Sequence, residues 1–156
     1  MNLSGEILQS KLFGGNGDDA VFDIGINDDG MVFVTGSTES TDFPLLNPLQ
    51  NQKIEEETAF VSIFSPTLDL LLATYWGGKE YDMSEIPEDH FYFEDYQSPR
   101  SKGKCILADC NTFILSGYTS NNTTPMKNAY QDNNPPSWGP FDSVFLTQFL
   151  VDLKSP

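Results

Sequence analysis

Residues with catalytic potential are few and scattered along this chain. His90 is the only histidine among the 156 residues, so any histidine-dependent triad would have to use it. Neither a Gly-x-Ser-x-Gly elbow nor a P-loop accompanies it. Cys105 and Cys110 lie five positions apart, which does not suit a zinc site, and we expect two free thiols. We therefore predict a protein that is not an enzyme and has no cofactor, with His90 in an exposed loop.

Aspartates in turn-like stretches are candidate calcium ligands, because Ca²⁺ prefers hard oxygen donors. The obvious donors are Asp18, Asp19, Asp28 and Asp29. The stretch 25–30 begins with glycine where an EF-hand loop has its first aspartate, so that motif is absent. The preference of aspartate for tight turns is enough to explain why these residues occur there. Calcium binding is therefore an alternative to a purely structural role.

A second set of candidates mixes acids with aromatic rings between positions 83 and 102. Aromatic residues are enriched in protein–protein interfaces. A second predicted loop contains Trp138. This pattern predicts partner binding through loops. The competing interpretation is that the rings fold back over their own sheet. The predicted partner-binding residues are Phe91, Tyr92, Phe93, Tyr96 and Trp138.

The charge of the chain restricts the classes of partner that it is expected to bind. It carries 23 acidic and 8 basic residues, for a net charge of −15. Binding to phosphates requires clustered Lys and Arg, so the composition argues against nucleic acid. No run of about 18 apolar residues occurs, so membrane insertion is not predicted. The acidity indicates either a self-repelling surface or a docking surface for a basic partner or divalent cations.

The elements that would position these residues come as two copies of one pattern. Each copy has a Gly-Gly pair, a central strand ending in Gly-x-Thr, and a last strand rich in Phe. The copies are offset by 63 positions at the Gly-Gly pairs, 81 at the central strand and 85 at the last strand. Recurrence of this kind is typical of stacked β-units. The sequence thus predicts a first repeat over 1–68 and a second over 69–156, with an insertion at about 83–102.

Short runs of β-branched and aromatic residues, bounded by Gly, Asp, Asn and Pro, predict eight strands and almost no helix. Four strands per unit is the make-up of one propeller blade. We therefore predict an all-β fold of two four-stranded antiparallel propeller-type blades, a partial β-propeller. The first set is Ile7–Phe13, Val21–Ile26, Met31–Thr35 and Thr58–Phe64; the second is Leu70–Trp76, Lys104–Ala108, Thr112–Ser116 and Ser143–Phe149.

The motifs of the first copy resemble the SBBP repeat, a β-propeller repeat of large bacterial surface and secreted proteins. The resemblance lies in Leu-Phe-Gly-Gly-Asn-Gly-Asp-Asp-Ala at 12–20, Val-Phe-Val-Thr-Gly-Ser-Thr at 32–38 and Asp-Phe-Pro at 42–44. The second copy lacks the Gly-Asp-Asp run and the hairpin glycine. The resemblance implies a propeller fold and no catalytic residues.

Two blades are too few to close a propeller, so their apolar faces need a cover. We expect that cover to be another copy of the chain, other subunits, or further repeats. The predicted function is a non-catalytic scaffold or protein-interaction subunit of a larger assembly. The alternative is a surface module that binds carbohydrate or calcium. An intracellular location is expected if Met1 is the true start, and a cell-surface or extracellular one if the chain is part of a longer family member.

Overall fold

The computed structural model describes residues 5–53, 55–78, 100–120, 127 and 143–150. In this part of the chain seven strands form two antiparallel sheets, and no helix occurs. Sheet 1 has the order β1-β2-β3-β4, and sheet 2 the order β5-β6-β7. The predicted all-β class is confirmed. The strands are β1 (Asp19–Ile26), β2 (Val32–Thr38), β3 (Thr58–Phe64), β4 (Leu70–Trp76), β5 (Ser101–Asp109), β6 (Thr112–Thr119) and β7 (Ser143–Leu150).

The division of the strands into two sets of four is wrong by one strand. Leu70–Trp76 was predicted to begin the second set, but it is the last strand of sheet 1. A tight turn brings it back beside β3, with the Leu68 amide donating to the Ser65 carbonyl at 2.9 Å. Ile7–Phe13 was predicted as a strand, yet it pairs with no strand among the described residues. The sheets are thus shifted by one strand relative to the repeats read from the sequence.

Burial explains why each strand has its composition. Every residue of β3 is buried, because this central strand is covered on both faces, and its sequence Thr-Ala-Phe-Val-Ser-Ile-Phe is accordingly almost continuous in small and apolar residues. By contrast, β6 and β7 alternate between more and less buried residues. Such alternation is expected when only one face of a sheet is covered. Sheet 1 is therefore the middle layer and sheet 2 an outer layer.

Both sheets contain the same β-bulge. The register shifts between Val21 and Asp23 in β1 and between Gly103 and Cys105 in β5. A Cβ atom on Gly36 in β2 would collide with the carbonyl oxygen of the neighbouring strand at Ala20, and one on Gly117 would meet the carbonyl of Lys102. The repeated glycine of the central strand is thus required by the close approach of the bulged strand.

Two apolar clusters lie on opposite faces of sheet 1. The first fills the space between the two sheets, and the second lies beneath the long connection from β2 to β3. The residues of the first cluster are Phe33, Ala59, Val61, Ile63, Trp76, Ile106, Phe113, Leu115 and Phe145. Those of the second are Val34, Phe43, Phe60, Phe64, Ala73 and Tyr75.

Candidate functional site

Sheet 1 and sheet 2 are built from the same repeated pattern. The faces through which they contact each other are not equivalent in that pattern. Sheet 1 contacts sheet 2 with the face that carries Phe33 and Val61. At the repeat offsets of 81 and 85, the equivalents of these residues in sheet 2 are Ile114 and Leu146. Leu146 is 72% exposed and points away from sheet 1. The face of sheet 2 that does pack on sheet 1 carries other residues.

The face of sheet 2 that contacts sheet 1 contains Leu115 and Phe145. Their equivalents in sheet 1 are Val34 and Phe60, which lie in the second cluster on the far side of that sheet. A two-fold sandwich would bring equivalent faces together. Here unlike faces meet, so one step of a repeating stack relates sheet 1 to sheet 2. A stack of this kind has two different ends.

Polar contacts fix the two sheets in this arrangement. The Asp23 carboxylate accepts a hydrogen bond from the Ile106 amide at 2.8 Å. That bond holds the pKa of Asp23 below its ordinary value. Glu57 forms an ion pair with Lys102, and its carbonyl accepts the Ser101 amide at 2.9 Å. Burial opposes ionisation of Glu57, but the Lys102 bond outweighs it and lowers the pKa of the carboxyl.

The end of the stack formed by sheet 2 is an apolar surface. Four large hydrophobic side chains there are at least 65% exposed. Such contiguous exposure marks an interaction site more often than a free surface. The sequence held a signal for it, because Leu146 and Val144 align with Val61 and Ala59, which are fully buried against sheet 2. We call this surface the trailing face, and it consists of Leu107, Val144, Leu146 and Leu150.

The end of the stack formed by sheet 1 is partly covered. Phe13 packs on it, with ring centroids 5.0 Å from Phe43 and 5.2 Å from Phe64. Phe13 does not cover the part of this face formed by β1, where three aliphatic side chains are more than half exposed. Each lies opposite a residue of β2 on this side of the sheet. We call this surface the leading face, and its exposed residues are Val21, Ile24 and Ile26.

The Gly-Gly-Asn-Gly-Asp-Asp string forms a loop closed by a hydrogen bond within it and by others to residues that follow β2. Asp19 accepts from the Gly15 amide and the Ser40 hydroxyl, both at 2.8 Å, and Asp42 accepts from the Asn16 amide at 2.7 Å. Burial opposes ionisation of Asp19, but hydrogen bonds from Thr38, Gly15 and Ser40 outweigh it and lower its pKa. The role that the structure gives to Asp19 is to hold this loop.

The four aspartates of the calcium alternative are not brought together. Asp18 and Asp19 lie at the start of β1, whereas Asp28 and Asp29 follow its end. An eight-residue strand is about 25 Å long, so the two pairs cannot share one ion. Within the described ranges, no group of three or more Asp, Glu, His or Cys side chains is placed to hold a metal.

A shallow groove of about 490 Å³ lies beside the second cluster. Thr41, Gln52 and Lys53 line it, and Phe43 and Tyr75 form its floor. Both aromatic residues are at least 96% buried, and the Tyr75 hydroxyl is bonded to the Ser40 carbonyl. A carbohydrate platform needs an exposed ring face, which these two residues do not provide.

The other predicted site residues divide into two groups. Cys105 and Cys110 are free thiols, as predicted, and both are exposed. A hydrogen bond to Asp109 raises the pKa of the Cys110 thiol, which disfavours the reactive thiolate. His90, predicted in an exposed loop, lies outside the described residues. So do the predicted partner-binding residues Phe91, Tyr92, Phe93, Tyr96 and Trp138.

Comparison of the chain with protein-family models, with curated proteins and with solved structures found no match. No helix in the described ranges is long and apolar enough to cross a membrane.

Proposed function

We propose that this chain is a non-catalytic segment of a β-propeller that acts as a scaffold or protein-interaction subunit of a larger assembly. The observation that carries the proposal is the packing of the two sheets through unlike faces. In a propeller each blade presents one face to the blade before it and the other to the blade after it. Sheets 1 and 2 have this relation, and the resemblance of the first copy to the SBBP repeat supports the same architecture.

The exposed ends supply the interaction surfaces of this proposal. The trailing face corresponds by repeat position to the face of sheet 1 that is buried against sheet 2. A partner that covers the trailing face therefore has to resemble sheet 2 in shape and in apolar character. Burial of a leucine or valine side chain contributes about 1.5 to 3 kcal/mol, so the three leucines and one valine of this face support a stable contact.

Replacement of one leucine on the trailing face tests the proposal. Leu146→Glu places a charge in the contact without disturbing the fold, because the side chain is 72% exposed. We expect proteins recovered with the tagged wild-type chain from its native source, its own copies included, to fall about tenfold or more with this variant, as quantified by mass spectrometry.

The control is Asn111→Asp, which adds one negative charge to the exposed turn between β5 and β6. It should leave recovery unchanged. If Leu146→Glu recovers the same proteins in the same amounts as the control, the trailing face is not an interaction surface and the proposal is wrong.

A further inference from the structure

The described chain contains a strand-like segment without a sheet and a sheet without a fourth strand. The segment is Ile7–Phe13, which aligns at the offset of 63 with β4. Its side chains Ile7, Leu8 and Leu12 are between 72% and 103% exposed. In the described part of the chain β7 pairs with β6 alone, whereas its equivalent β3 pairs with both β2 and β4. The segment thus lacks a neighbouring strand, and among the described residues the outer edge of β7 in sheet 2 is unpaired.

One residue before the segment has the backbone conformation of its equivalent before β4. Leu68 in that turn has φ of 56°, and its equivalent Gly5 has φ of 72°. Leucine rarely adopts left-handed backbone and glycine adopts it readily, so Gly5 suits the conformation that Leu68 has at this repeat position. At this residue the chain has the same conformation before Ile7–Phe13 as before β4.

The end of the segment is fixed in the same way as the end of β4. Trp76, the last residue of β4, packs on sheet 2 through Phe149 with ring centroids 4.8 Å apart and an interplanar angle of 80°. The equivalent pair is Phe13 on Phe64, at 5.2 Å and 84°. Phe13 therefore sits on sheet 1 as the last residue of a preceding sheet would. The segment is thus held in position for a sheet that the described part of the same copy does not provide.

In the described part of one copy, the two elements lie on opposite sides of sheet 1. Phe13 holds the segment to the face of sheet 1 that carries the second cluster. Sheet 2, with β7, covers the opposite face of sheet 1. The segment and β7 of one copy are therefore separated by the full thickness of sheet 1, so the described residues of one copy do not pair them.

We propose that Ile7–Phe13 of one copy adds to β7 of a second copy as the fourth strand of its sheet 2. The inference rests on the proposed function and names the partner of the same surface. The pairing is antiparallel, as between β3 and β4, and it brings the trailing face of one copy against the leading face of the next. Transfer of the β3–β4 register places these residues opposite each other: Phe13 and Val144, Leu12 and Phe145, Lys11 and Leu146, Ser10 and Thr147, Gln9 and Gln148.

The contact is head-to-tail, because the segment and β7 belong to different surfaces of one molecule. Such contacts repeat until the rotation closes a ring or a filament grows. Propellers close with four to eight blades, and each copy contributes two sheets. A closed ring therefore contains two to four copies.

Disulfide trapping between two differently labelled molecules tests the register. In the background Cys105→Ser and Cys110→Ser, one protein carries Gln9→Cys and the other Gln148→Cys. Both glutamines are exposed, so neither change disturbs the fold. Directly opposite residues have Cβ atoms about 4.5 to 5.5 Å apart, near the range that a disulfide requires. In a glutathione redox buffer the mixture should give a covalent dimer on a non-reducing gel, whereas each protein alone should not.

The matched control mixes Gln9→Cys with Thr147→Cys, the neighbouring position whose side chain points to the other face of the strand. We expect its yield of dimer to be lower by on the order of tenfold. No dimer in the first mixture, or equal yields from both, overturns the inference. If recovery of other proteins still depends on Leu146 in that case, the proposed function stands and only the self-pairing is wrong.

Discussion

At the scale of single residues, the contact between the sheets depends on side chains placed by the bulge in β1. The bulge before Asp23 turns its carboxylate toward β5, where the Ile106 amide donates to it. An amide hydrogen bond to a charged acceptor contributes more than one to a neutral acceptor. Asp23 therefore holds β1 to sheet 2. The contact lies beside the bulge in β5, where the register shifts between Gly103 and Cys105.

Asp23→Ala removes this acceptor and should lower the free energy of unfolding by about 1 to 2 kcal/mol at neutral pH. The lowered pKa of Asp23 fixes the sign of the pH dependence. A depressed pKa stabilises the fold above the unfolded-state pKa, near 3.9, and the stabilisation is lost as the pH falls through the folded-state value. Urea unfolding at neutral and at acidic pH should therefore show the difference from wild type shrinking in acid.

The control for this prediction is Asp23→Asn, which keeps a neutral acceptor for the Ile106 amide. It should lose less stability than Asp23→Ala at neutral pH. A pH-independent difference between wild type and Asp23→Ala would contradict the charged role of this carboxylate.

Sequence alone could identify some of these residues and not others. The repeated glycines Gly36 and Gly117 stood out because their type and spacing recur, and the structure explains them by the neighbouring strand. Asp23 could not be recognised, because its partner is a backbone amide 83 positions away that leaves no trace in residue type. The trailing face could have been found by asking which buried positions of the first copy have apolar equivalents in the second.

At the scale of elements, the long connection between β2 and β3 is fastened to the outer edge of β4. The Thr74 hydroxyl accepts from the amides of Leu49 and Gln50 at 3.0 and 2.9 Å, and Leu46 bridges to Ala73. This connection covers an edge that would otherwise be open to pairing with another chain. The edge of sheet 1 is thus protected, whereas no described residue pairs with the outer edge of β7 in sheet 2.

Thr74→Val keeps the shape of the side chain but leaves both amides without their acceptor. We expect a loss of about 1 to 3 kcal/mol in the free energy of unfolding and faster hydrogen exchange at Leu49 and Gln50. Thr74→Ser retains the hydroxyl, so exchange at these amides should stay near the wild-type rate. Equal exchange in the two variants would show that the connection is held by other contacts.

The strand assignment shows what periodicity can and cannot predict for elements. Leu70–Trp76 was recognised as a strand from its composition, but its sheet was not, because strand-like composition carries no information about which neighbour it pairs with. The tight turn after β3 decides that question. The same reasoning applies to Ile7–Phe13, which has the composition of a strand while its pairing depends on an edge elsewhere.

At the scale of the whole molecule, the two sheets form a stack with two unlike ends. The duplicated sequence predicted stacked sheets, and the structure adds that sheet 1 and sheet 2 meet through unlike faces. The aromatic loop residues chosen as partner contacts lie outside the described ranges, so their role stays a prediction. The surfaces described here arise instead from the ends of the stack, which no local motif marks.

The mass of the chain in solution, measured by light scattering after size exclusion at micromolar concentrations, tests this account most directly. We predict a mass of two to four times the 17.4 kDa of one chain if the ring closes, falling to 17.4 kDa for Leu146→Glu. A stable wild-type monomer of 17.4 kDa over the whole concentration range would contradict the account.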